Sequence, residues 1–349
     1  MASAYLDTRV SLYAHRLWDD ATLDHLVDVS EAELIETLAL RGLPQLIGGF
    51  RAADGATPDA RSLEQRIVAQ LLEETRVLMR PLGDGQRGFL TYWTARFEVN
   101  NLKTLLRGKL IGERPAALLA SLTPMGGFAR VDETALAHAE DLAELLRRLE
   151  ASPYAAIVRE ARHAFEQTHD PFHLDAALDR GYYEGLGRRA EALEREAGAG
   201  FVTLMDRLFA RINLVWLLRY RFNYGLPPAQ VYYLLIASRY GLSGARLRDL
   251  VGREGIDAVL AALPAFWRTR LAGAHGIAEV FARMEQLAAA QARALLAPGK
   301  AAAFVRAFAY LILRERDLRA VRGILRGRHL GLPARAIRQA IERAPVGSH

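Results

Sequence analysis

The chain has 349 residues, of which 51% are hydrophobic, so it is long enough to bury one sizeable core or several small ones. It contains no cysteine, which excludes a disulfide framework, a thiol nucleophile and a cysteine-based metal site. The 46 basic residues include only three lysines and are interspersed with 40 acidic residues, which leaves a net charge of +6. This modest and scattered excess does not indicate a nucleic-acid partner.

The first ten residues lack the basic region and apolar run of a secretory signal, so we expect no targeting segment there. The longest apolar stretches lie at 231–237 and 301–313, and Arg306 interrupts the second. Both fall short of the roughly 20 apolar residues that cross a bilayer as a helix. The sequence therefore predicts a soluble chain with no membrane span of its own.

Nearly every segment has the composition and spacing of an α-helix. Alanine, leucine, arginine and glutamate recur at intervals of three and four, and alternating β-branched runs are absent. The clearest helices are predicted at 63–79, 133–149, 175–197 and 202–223. Turn residues separate the helices, for example at 83–85. We therefore predict an all-α fold.

An acidic string near the N-terminus, formed by Asp19, Asp20 and Asp24, has the spacing of the Mg²⁺-diphosphate motif of all-helical terpenoid synthases. Carboxylates on one helical turn can share a hard cation. However, Ser30 and Glu31 indicate a helix start shortly afterwards, and no second metal motif accompanies the string. We interpret it as an exposed helix end and cap, because so short a motif discriminates poorly.

The segment 83–88 is rich in glycine, but it has no preceding strand and no Gly-Lys-Ser/Thr ending. We interpret it as a turn and not as a phosphate-binding loop. Two aromatic pairs, Tyr182–Tyr183 and Tyr232–Tyr233, lie in predicted helices and outside any basic sheet surface. They favour a core or interface role over base stacking.

The one histidine cluster consists of His163, Glu166, His169 and His173. His163 and Glu166 are three residues apart, which is acceptable spacing for metal ligands on a helix. Asp170–Pro171 ends that helix, however, and moves His173 to a new element. The pattern predicts a solvated helix end and no metal site.

A nine-residue segment, here called the signature segment, occurs three times. Its copies begin at Asn101, Asn213 and Ala320, so they are separated by 112 and 107 residues. They read NLKTLLRGK, NLVWLLRYR and AVRGILRGR, and each is followed by a proline, Pro115, Pro227 and Pro333. A period near 110 residues is typical of three copied domains. We predict helical repeats at 1–118, 119–232 and 233–349, packed as one body because no low-complexity linker separates them.

On a helical wheel, the signature segment has an apolar stripe that is flanked by basic residues. These are Lys103 and Arg107 in the first copy, Arg219 in the second, and Arg322 and Arg326 in the third. An acid accompanies each copy on the apolar side or one turn earlier: Glu98, Asp206 and Asp317. An unpaired buried charge is costly, so we favour structural ion pairs for these acids over a functional role. The basic residues are candidates for partner contact, with internal pairing as the alternative.

Three segments carry a resemblance to a known family: YLDTRVSLYAHRLW at 5–18, FEVNNLKTLLRGK at 97–109 and LDAALDRGYYEGL at 174–186. Over essentially its whole length the chain resembles the C subunit of V/A-type rotary ATPases, the homologue of the d subunit of eukaryotic V-ATPases. The resemblance implies an all-α, funnel-like socket of three similar helical domains with approximate threefold symmetry. The third copy departs by having Ala320 where the first has Asn101, and the second has Tyr220 in place of a glycine.

The resemblance also implies a non-catalytic rotor subunit of a proton- or sodium-translocating ATPase/synthase. Such a subunit receives the central axle, made of D/F-type subunits, sits on the membrane proteolipid ring and transmits torque between them. It would be cytoplasmic, peripheral to the membrane and monomeric within the complex, with no cofactor, no metal, no catalytic residue and no nucleic-acid partner. The alternative is a helical adaptor or scaffold of an unrelated complex.

Overall fold

The computed structural model describes residues 2–43 and 60–343, and all regular elements within these ranges are helical, as predicted. The first ten helices are α1 (Ala2–Ala14), α2 (Asp20–His25), α3 (Glu31–Leu40), α4 (Ala60–Met79), α5 (Asp84–Leu110), α6 (Pro115–Ser121), α7 (Glu133–Ala137), α8 (Leu142–Glu150), α9 (Ala155–Thr168) and α10 (Pro171–Ala197). The others are α11 (Ala199–Leu218), α12 (Pro228–Leu234), α13 (Gly244–Val251), α14 (Ile256–Ala261), α15 (Ala265–Leu271), α16 (Gly276–Leu296), α17 (Ala303–His329) and α18 (Ala334–Arg343). A 3₁₀ turn covers Gly126–Phe128 and a π-helical turn covers Arg219–Asn223.

Six long helices form the body of the molecule: α4, α5, α10, α11, α16 and α17. Each contacts the next in this order, and α17 contacts α4, so the six helices close into a ring. The first and third copies of the signature segment lie in α5 and α17, and the second begins in α11 and ends in the π-helical turn that follows it. We call these three the signature helices and count the π-helical turn as the end of the second. They alternate around the ring with α4, α10 and α16.

Neighbouring helices around this ring run antiparallel. A residue near the start of one helix contacts a residue near the end of the next, and the order of contacts reverses along the pair. Between α5 and α10 the contacts are Gln86–Glu196 and Lys103–Asp179, and α10 meets α11 through Tyr183–Trp216, on either side of Gly198. Between α11 and α16 they are Gly200–Gln291 and Arg207–Leu287, and between α16 and α17 they are Arg306–Leu296 and Arg319–Glu285. Between α17 and α4 they are Arg314–Glu74 and Arg322–Glu64. The three signature helices therefore run in the same direction.

Three phenylalanines meet near the N-terminal ends of the signature helices. Phe89, Phe201 and Phe308 each lie twelve residues before the first residue of the signature segment in their own helix. Their ring centroids are 5.0 to 5.9 Å apart, and all three side chains are fully buried. Tilted and edge-to-face rings at this distance attract one another in addition to the area they bury. The signature helices therefore converge at their N-terminal ends.

Several predicted boundaries differ from the observed ones because of caps. The helix predicted at 133–149 is split into α7 and α8, since Asp141 accepts a hydrogen bond from the backbone N–H of Glu144 and starts a new helix. The break predicted at 83–85 is narrower than expected: Gly83 is the N-cap of α5, and Asp84 is already helical. The helix predicted at 202–223 begins at Ala199 and ends in the π-helical turn.

The hydrophobic core continues across the predicted boundaries between the repeats. The larger hydrophobic cluster extends from Leu6 to Ile337, and a second one surrounds α11 to α16. The predicted boundaries at 118/119 and 232/233 fall inside α6 and α12, and α1 and α2 pack on α17 at the other end of the chain. The division into three repeats stays a prediction, while the packing joins the first and last parts of the described chain.

Candidate functional site

The three acids that accompany the signature segments accept hydrogen bonds from backbone N–H groups. Glu98 accepts from Arg130 and Val131 and also from the hydroxyl of Tyr154, Asp206 accepts from Gly241, and Asp317 accepts from Trp18. Each donor amide lies two or three residues before a short helix, α7, α13 or α2 respectively. None of the acids forms an ion pair with a described residue, so neutral donors take the place of the expected cations. A carboxylate that accepts backbone N–H bonds is satisfied without a cation.

A basic residue of each signature helix binds the other end of the same short helix. Lys109, Arg221 and Arg328 each lie eight residues after the start of their signature segment. They donate to carbonyl oxygens at 2.5 to 3.3 Å: Lys109 to Ala137 at the end of α7 and to Ala139 beyond it, Arg221 to Val251 at the end of α13, and Arg328 to Leu26 after α2. A cation is favourable near the C-terminal carbonyls of a helix. The third of these contacts connects α17 to the N-terminal part of the chain.

Asn101 and Asn213 make the same pair of side-chain to backbone hydrogen bonds in the first and second copies. The Asn101 side chain donates to the carbonyl oxygen of Thr123 and accepts from its N–H, at 2.7 and 2.8 Å. Asn213 makes the same pair of hydrogen bonds with Ile236, at 3.1 and 2.8 Å. Thr123 and Ile236 follow α6 and α12, which are the helices that begin at a proline after each signature helix. Ala320 has no side chain that could make this contact in the third copy.

Glycines at the end of the first and third signature helices allow the next helix to approach closely. A Cβ at Gly108 would lie 2.1 Å from Leu118, and a Cβ at Gly327 would lie 2.6 Å from Ile337. The second copy has Tyr220 at this position, and its helix widens there into the π-helical turn. A π turn accommodates one additional residue. The π-helical turn thus accommodates Tyr220 where the other two copies have a glycine.

The five basic residues predicted to contact a partner differ in their surroundings. Lys103 lies 2.9 Å from Asp179, Arg107 lies 3.7 Å from Asp175, and Arg322 lies 2.5 Å from Glu64. Burial raises the pKa of Asp175 to about 6, although Arg107 and Lys103 act in the opposite direction. The remaining two are Arg219, which is half-buried, and Arg326, which is exposed, and neither forms an ion pair with a described residue. Internal pairing therefore involves three of the five.

Each signature helix ends in an exposed apolar residue next to a glycine. Ile111, Tyr224 and Leu330 are 79%, 52% and 59% exposed. They precede Gly112, Gly225 and Gly331, which all have φ between 65° and 70° and terminate the helix in the left-handed conformation. Because the signature helices are parallel, these three tips lie at the same end of the ring. We call them the apolar tips.

A cavity of about 60 Å³ lies inside the ring and is lined by side chains from α5, α10, α11, α16 and α17. Its charged lining consists of Arg96, Arg211, Arg316, Arg319, Glu285 and Glu315. Burial would raise the pKa of Glu285, but Arg319 and Arg211 outweigh it and lower that pKa. Sequence reasoning missed this cavity because its residues are spread over five helices.

The residues of the acidic string and of the histidine cluster either cap helices or contact other side chains. Asp19 caps α2 by accepting a hydrogen bond from the N–H of Thr22, and Asp20 and Asp24 pair with Arg316 and Arg338. In the histidine cluster, His169 terminates α9 with φ 52°, and His173 contacts Gln230 at 2.9 Å. No group of three potential metal ligands occurs within 2–43 and 60–343.

The same ranges contain no helix long and apolar enough to cross a membrane.

Tyr182 stacks on Tyr92 with a centroid distance of 5.4 Å, and Tyr183 packs edge-on against Trp216. The first tyrosine pair therefore lies within the helix packing. In the second pair, Tyr232 packs near Arg248, whereas Tyr233 is largely exposed.

Comparison with known proteins gives a match along almost the whole chain. Residues 6–340 match the family described as ATP synthase (C/AC39) subunit. The C subunit of the A-type ATP synthase of Methanocaldococcus jannaschii is 25% identical over 272 residues, which cover 74% of this chain and 64% of that protein. The corresponding C subunit of Methanothermobacter thermautotrophicus is 25% identical over 260 residues, covering 74% of this chain and 65% of that protein.

A bacterial relative is also similar. The C subunit of the V-type ATP synthase of Deinococcus radiodurans is 28% identical over 184 residues, covering 52% of this chain and 51% of that protein. The chain thus spans less than two thirds of the length of each of these relatives. The similarity nevertheless includes all three signature helices, since the family match extends from α1 into α18.

Proposed function

Because the chain belongs to the ATP synthase (C/AC39) subunit family, we propose that it is the non-catalytic central-stalk subunit of a V/A-type rotary ATPase. In this role it joins the central axle, made of D/F-type subunits, to the membrane proteolipid ring and transmits torque. It acts as a single copy in the complex, on the cytoplasmic face of the membrane, and moves protons or sodium ions only as part of the whole assembly.

The observation that carries this proposal is the family match over residues 6–340. The packing supports a mechanical role. Torque transmission needs a body that does not shear, and a closed ring of antiparallel helices gives each long helix two neighbours. The contacts of Asp317 and Arg328 with the segment around α2 also join the two ends of the described chain. A force applied to one helix is therefore shared by the whole ring.

We further propose that the molecule is a socket with approximate threefold symmetry. The support is the repetition at fixed offsets: a phenylalanine twelve residues before the signature segment, and a basic residue eight residues after its start. Convergence at Phe89, Phe201 and Phe308 makes one end narrow, and the cavity lies between the signature helices beyond that end. The axle would enter from the end that carries the apolar tips.

A reconstitution experiment tests the proposed function. The purified chain is mixed with the axle subunits of the same organism, and the product is added to vesicles that contain the proteolipid ring. The proposal predicts a stoichiometric complex with the axle and retention on the ring-containing vesicles, but no retention on empty ones. Failure to bind either component would contradict the proposal and favour the alternative, a helical adaptor of another complex.

The basic residues of the signature helices can be tested separately. Arg219 and Arg326 form no ion pair with a described residue, so replacing both by glutamate should change the melting temperature little. If they contact an acidic partner, the double variant should lose axle binding and the wild-type binding should weaken with salt. The matched control is the exposed pair Arg159 and Arg195, also changed to glutamate, which should leave binding unchanged. A large drop in the melting temperature would instead assign Arg219 and Arg326 to the fold.

A further inference from the structure

The cavity inside the helix ring has an imbalance of charge. Four arginines line it, at positions 96, 211, 316 and 319, against two glutamates, at positions 285 and 315. Two of the arginines are well paired inside the cavity: Arg96 lies 2.9 Å from Glu315, and Arg319 lies 2.5 Å from Glu285. Both glutamates are thereby used, so Arg211 only shares Glu285 with Arg319, at 3.7 Å, and Arg316 pairs with Asp20, which does not line the cavity.

Arg211 is the less satisfied of the two. Its side chain is only 11% exposed, and its one acidic neighbour, Glu285, is 3.7 Å away and already hydrogen-bonded to Arg319. Its Nε is buried without a partner, and its guanidinium makes no hydrogen bond with any residue in the described part of the chain. A buried guanidinium nitrogen without a hydrogen-bond partner is unfavourable until an acceptor arrives.

Arg316 approaches the cavity from α17. One of its terminal nitrogens donates to Asp20 at 2.6 Å, on the side of α2. The other, Nη1, is buried and has no hydrogen-bond partner in the described chain. Two donors from two different helices, Arg211 Nε and Arg316 Nη1, thus remain unused in residues that line one small cavity.

We propose that this cavity is a carboxylate-binding site that receives an acidic side chain of the axle protein. A carboxylate brings two acceptor oxygens and one negative charge, which match unused arginine donors and an excess of positive charge. The volume of about 60 Å³ leaves room for a carboxylate group. The position between three parallel signature helices would place the bound group close to the centre of the ring. The identity of the source rests on the proposed function, whereas the anion site does not.

The anion site is tested on the isolated chain. Thermal unfolding is measured in sodium acetate and in sodium chloride at equal ionic strength and pH. At an acetate concentration about tenfold above its dissociation constant, wild type should melt about 2–4 °C higher in acetate, because a ligand that binds only the folded state stabilises it. Arg211→Gln and Arg316→Gln should lose this difference, while Arg195→Gln, at an exposed position on α10, should retain it.

Arg211→Lys keeps the charge but removes the planar guanidinium, so it should show a reduced acetate effect even if Arg211→Gln folds poorly. An equal acetate effect in wild type, Arg211→Lys and Arg316→Gln would be a general solvent effect and would overturn the site. Absence of any acetate effect in wild type would overturn it as well.

The source of the carboxylate is tested with the axle complex. Arg211→Lys and Arg316→Gln should weaken axle binding at least tenfold relative to Arg195→Gln, in line with the cost of removing one partner of a buried charge pair. An acetate effect combined with unchanged axle binding would leave an anion site but overturn the axle as its occupant. If the wild-type chain shows an acetate effect but binds no axle, the proposed function is contradicted. The axle is then also excluded as the source of the carboxylate, whereas the anion site stands.

Discussion

Corresponding residues recur at both ends of the three signature helices, but they are buried at one end and exposed at the other. At the N-terminal end, Phe89, Phe201 and Phe308 are buried against one another. At the C-terminal end, the apolar tips recur ten, eleven and ten residues after the start of the signature segment, but they are exposed. Burial explains the first repetition, because three aromatic rings that meet must have matching size and position. It does not explain the second, since exposed apolar side chains contribute little to the fold.

The three phenylalanines therefore hold the ring together, whereas the apolar tips are available to a partner. Large exposed apolar groups arranged at one end of a molecule are typical of an interaction surface. If this distinction is correct, substitutions at the three buried phenylalanines should lower stability and should reduce binding only through unfolding. Substitutions at the apolar tips should do the reverse.

The strongest destabilisation is expected at the N-terminal end of the signature helices. Phe308→Ala should lower the free energy of unfolding by about 3–5 kcal/mol, because Phe308 is fully buried and contacts Phe89, Phe201 and Trp93. Urea denaturation of the isolated chain measures this. The control is Phe266→Ala in α15, where the ring is partly exposed and the loss should be about 1 kcal/mol or less. Equal losses in the two variants would show that the three phenylalanines do not close the ring.

Asp317, at the start of the contact between α17 and α2, should make stability depend on pH. Burial raises its pKa to about 7, although the N–H of Trp18 and the nearby Arg314 and Arg316 lower it. The folded state therefore holds a proton that the unfolded state releases near pH 4, so the stabilisation from Asp317 is full below pH 4 and is lost as pH rises to 7. Asp317→Asn should gain about 2–4 kcal/mol over wild type at pH 8, and little at pH 4.

Denaturation of wild type and Asp317→Asn across this pH range gives the comparison directly, since asparagine can still accept from the N–H of Trp18. Glu254→Gln, at an exposed position between α13 and α14, is the control for removing a carboxylate outside the core. Parallel pH profiles for wild type and Asp317→Asn would rule out the protonated form of Asp317 in the folded state.

Asn213 tests the repeated contact in the middle of the signature helices. Asn213→Ala should cost about 1–3 kcal/mol, because it leaves both the N–H and the C=O of Ile236 without their partner in a buried position. Asn101→Ala should behave in the same way through Thr123. Asn100→Ala, at an exposed position next to Asn101, should change stability by less than about 0.5 kcal/mol. If Asn213→Ala matched Asn100→Ala, the hydrogen bonds would not stabilise the fold.

The weakest effect on stability is expected at the apolar tips. Replacing Ile111 or Leu330 by serine should change the free energy of unfolding by no more than about 0.5 kcal/mol, since these side chains are exposed. Tyr224→Ser should cost about 1 kcal/mol, because its ring also packs against Phe172 and Tyr220. The triple variant should nevertheless bind the axle at least tenfold more weakly in a titration. Leu12→Ser, another exposed apolar position, should leave binding unaltered. Normal binding by the triple variant would remove the tips from the proposed interface.

Much of the helix content could be predicted because it depends on local composition. The three- and four-residue spacing of apolar side chains identified the helices around 63–79 and 175–197. Their ends were less accurate, since a single cap such as Asp141 can divide a helix without disturbing its apolar pattern. The offset of twelve residues to the three phenylalanines was also present in the sequence. It could have been found by aligning the copies beyond the signature segment.

The partners of charged residues could not be predicted in this way. Glu98, Asp206 and Asp317 were expected to pair with cations, but backbone N–H groups occupy them, and backbone groups are identical at every position of a sequence. Lys103 and Arg107 face Asp179 and Asp175, about 70 residues away on α10. Which acid lies opposite a given base depends on how the helices are arranged around the ring.

The order of residues alone was enough to show that the chain is helical, that a segment repeats three times and that it belongs with the C subunits of rotary ATPases, because composition, spacing and similarity are properties of that order. The three-dimensional packing was needed to show that α2 packs against α17, that the signature helices run in one direction, and that Arg211 and Arg316 share a cavity with too few acids. These features bring together residues far apart in sequence. They follow from burying several apolar helix faces at once, which no single segment of the chain specifies.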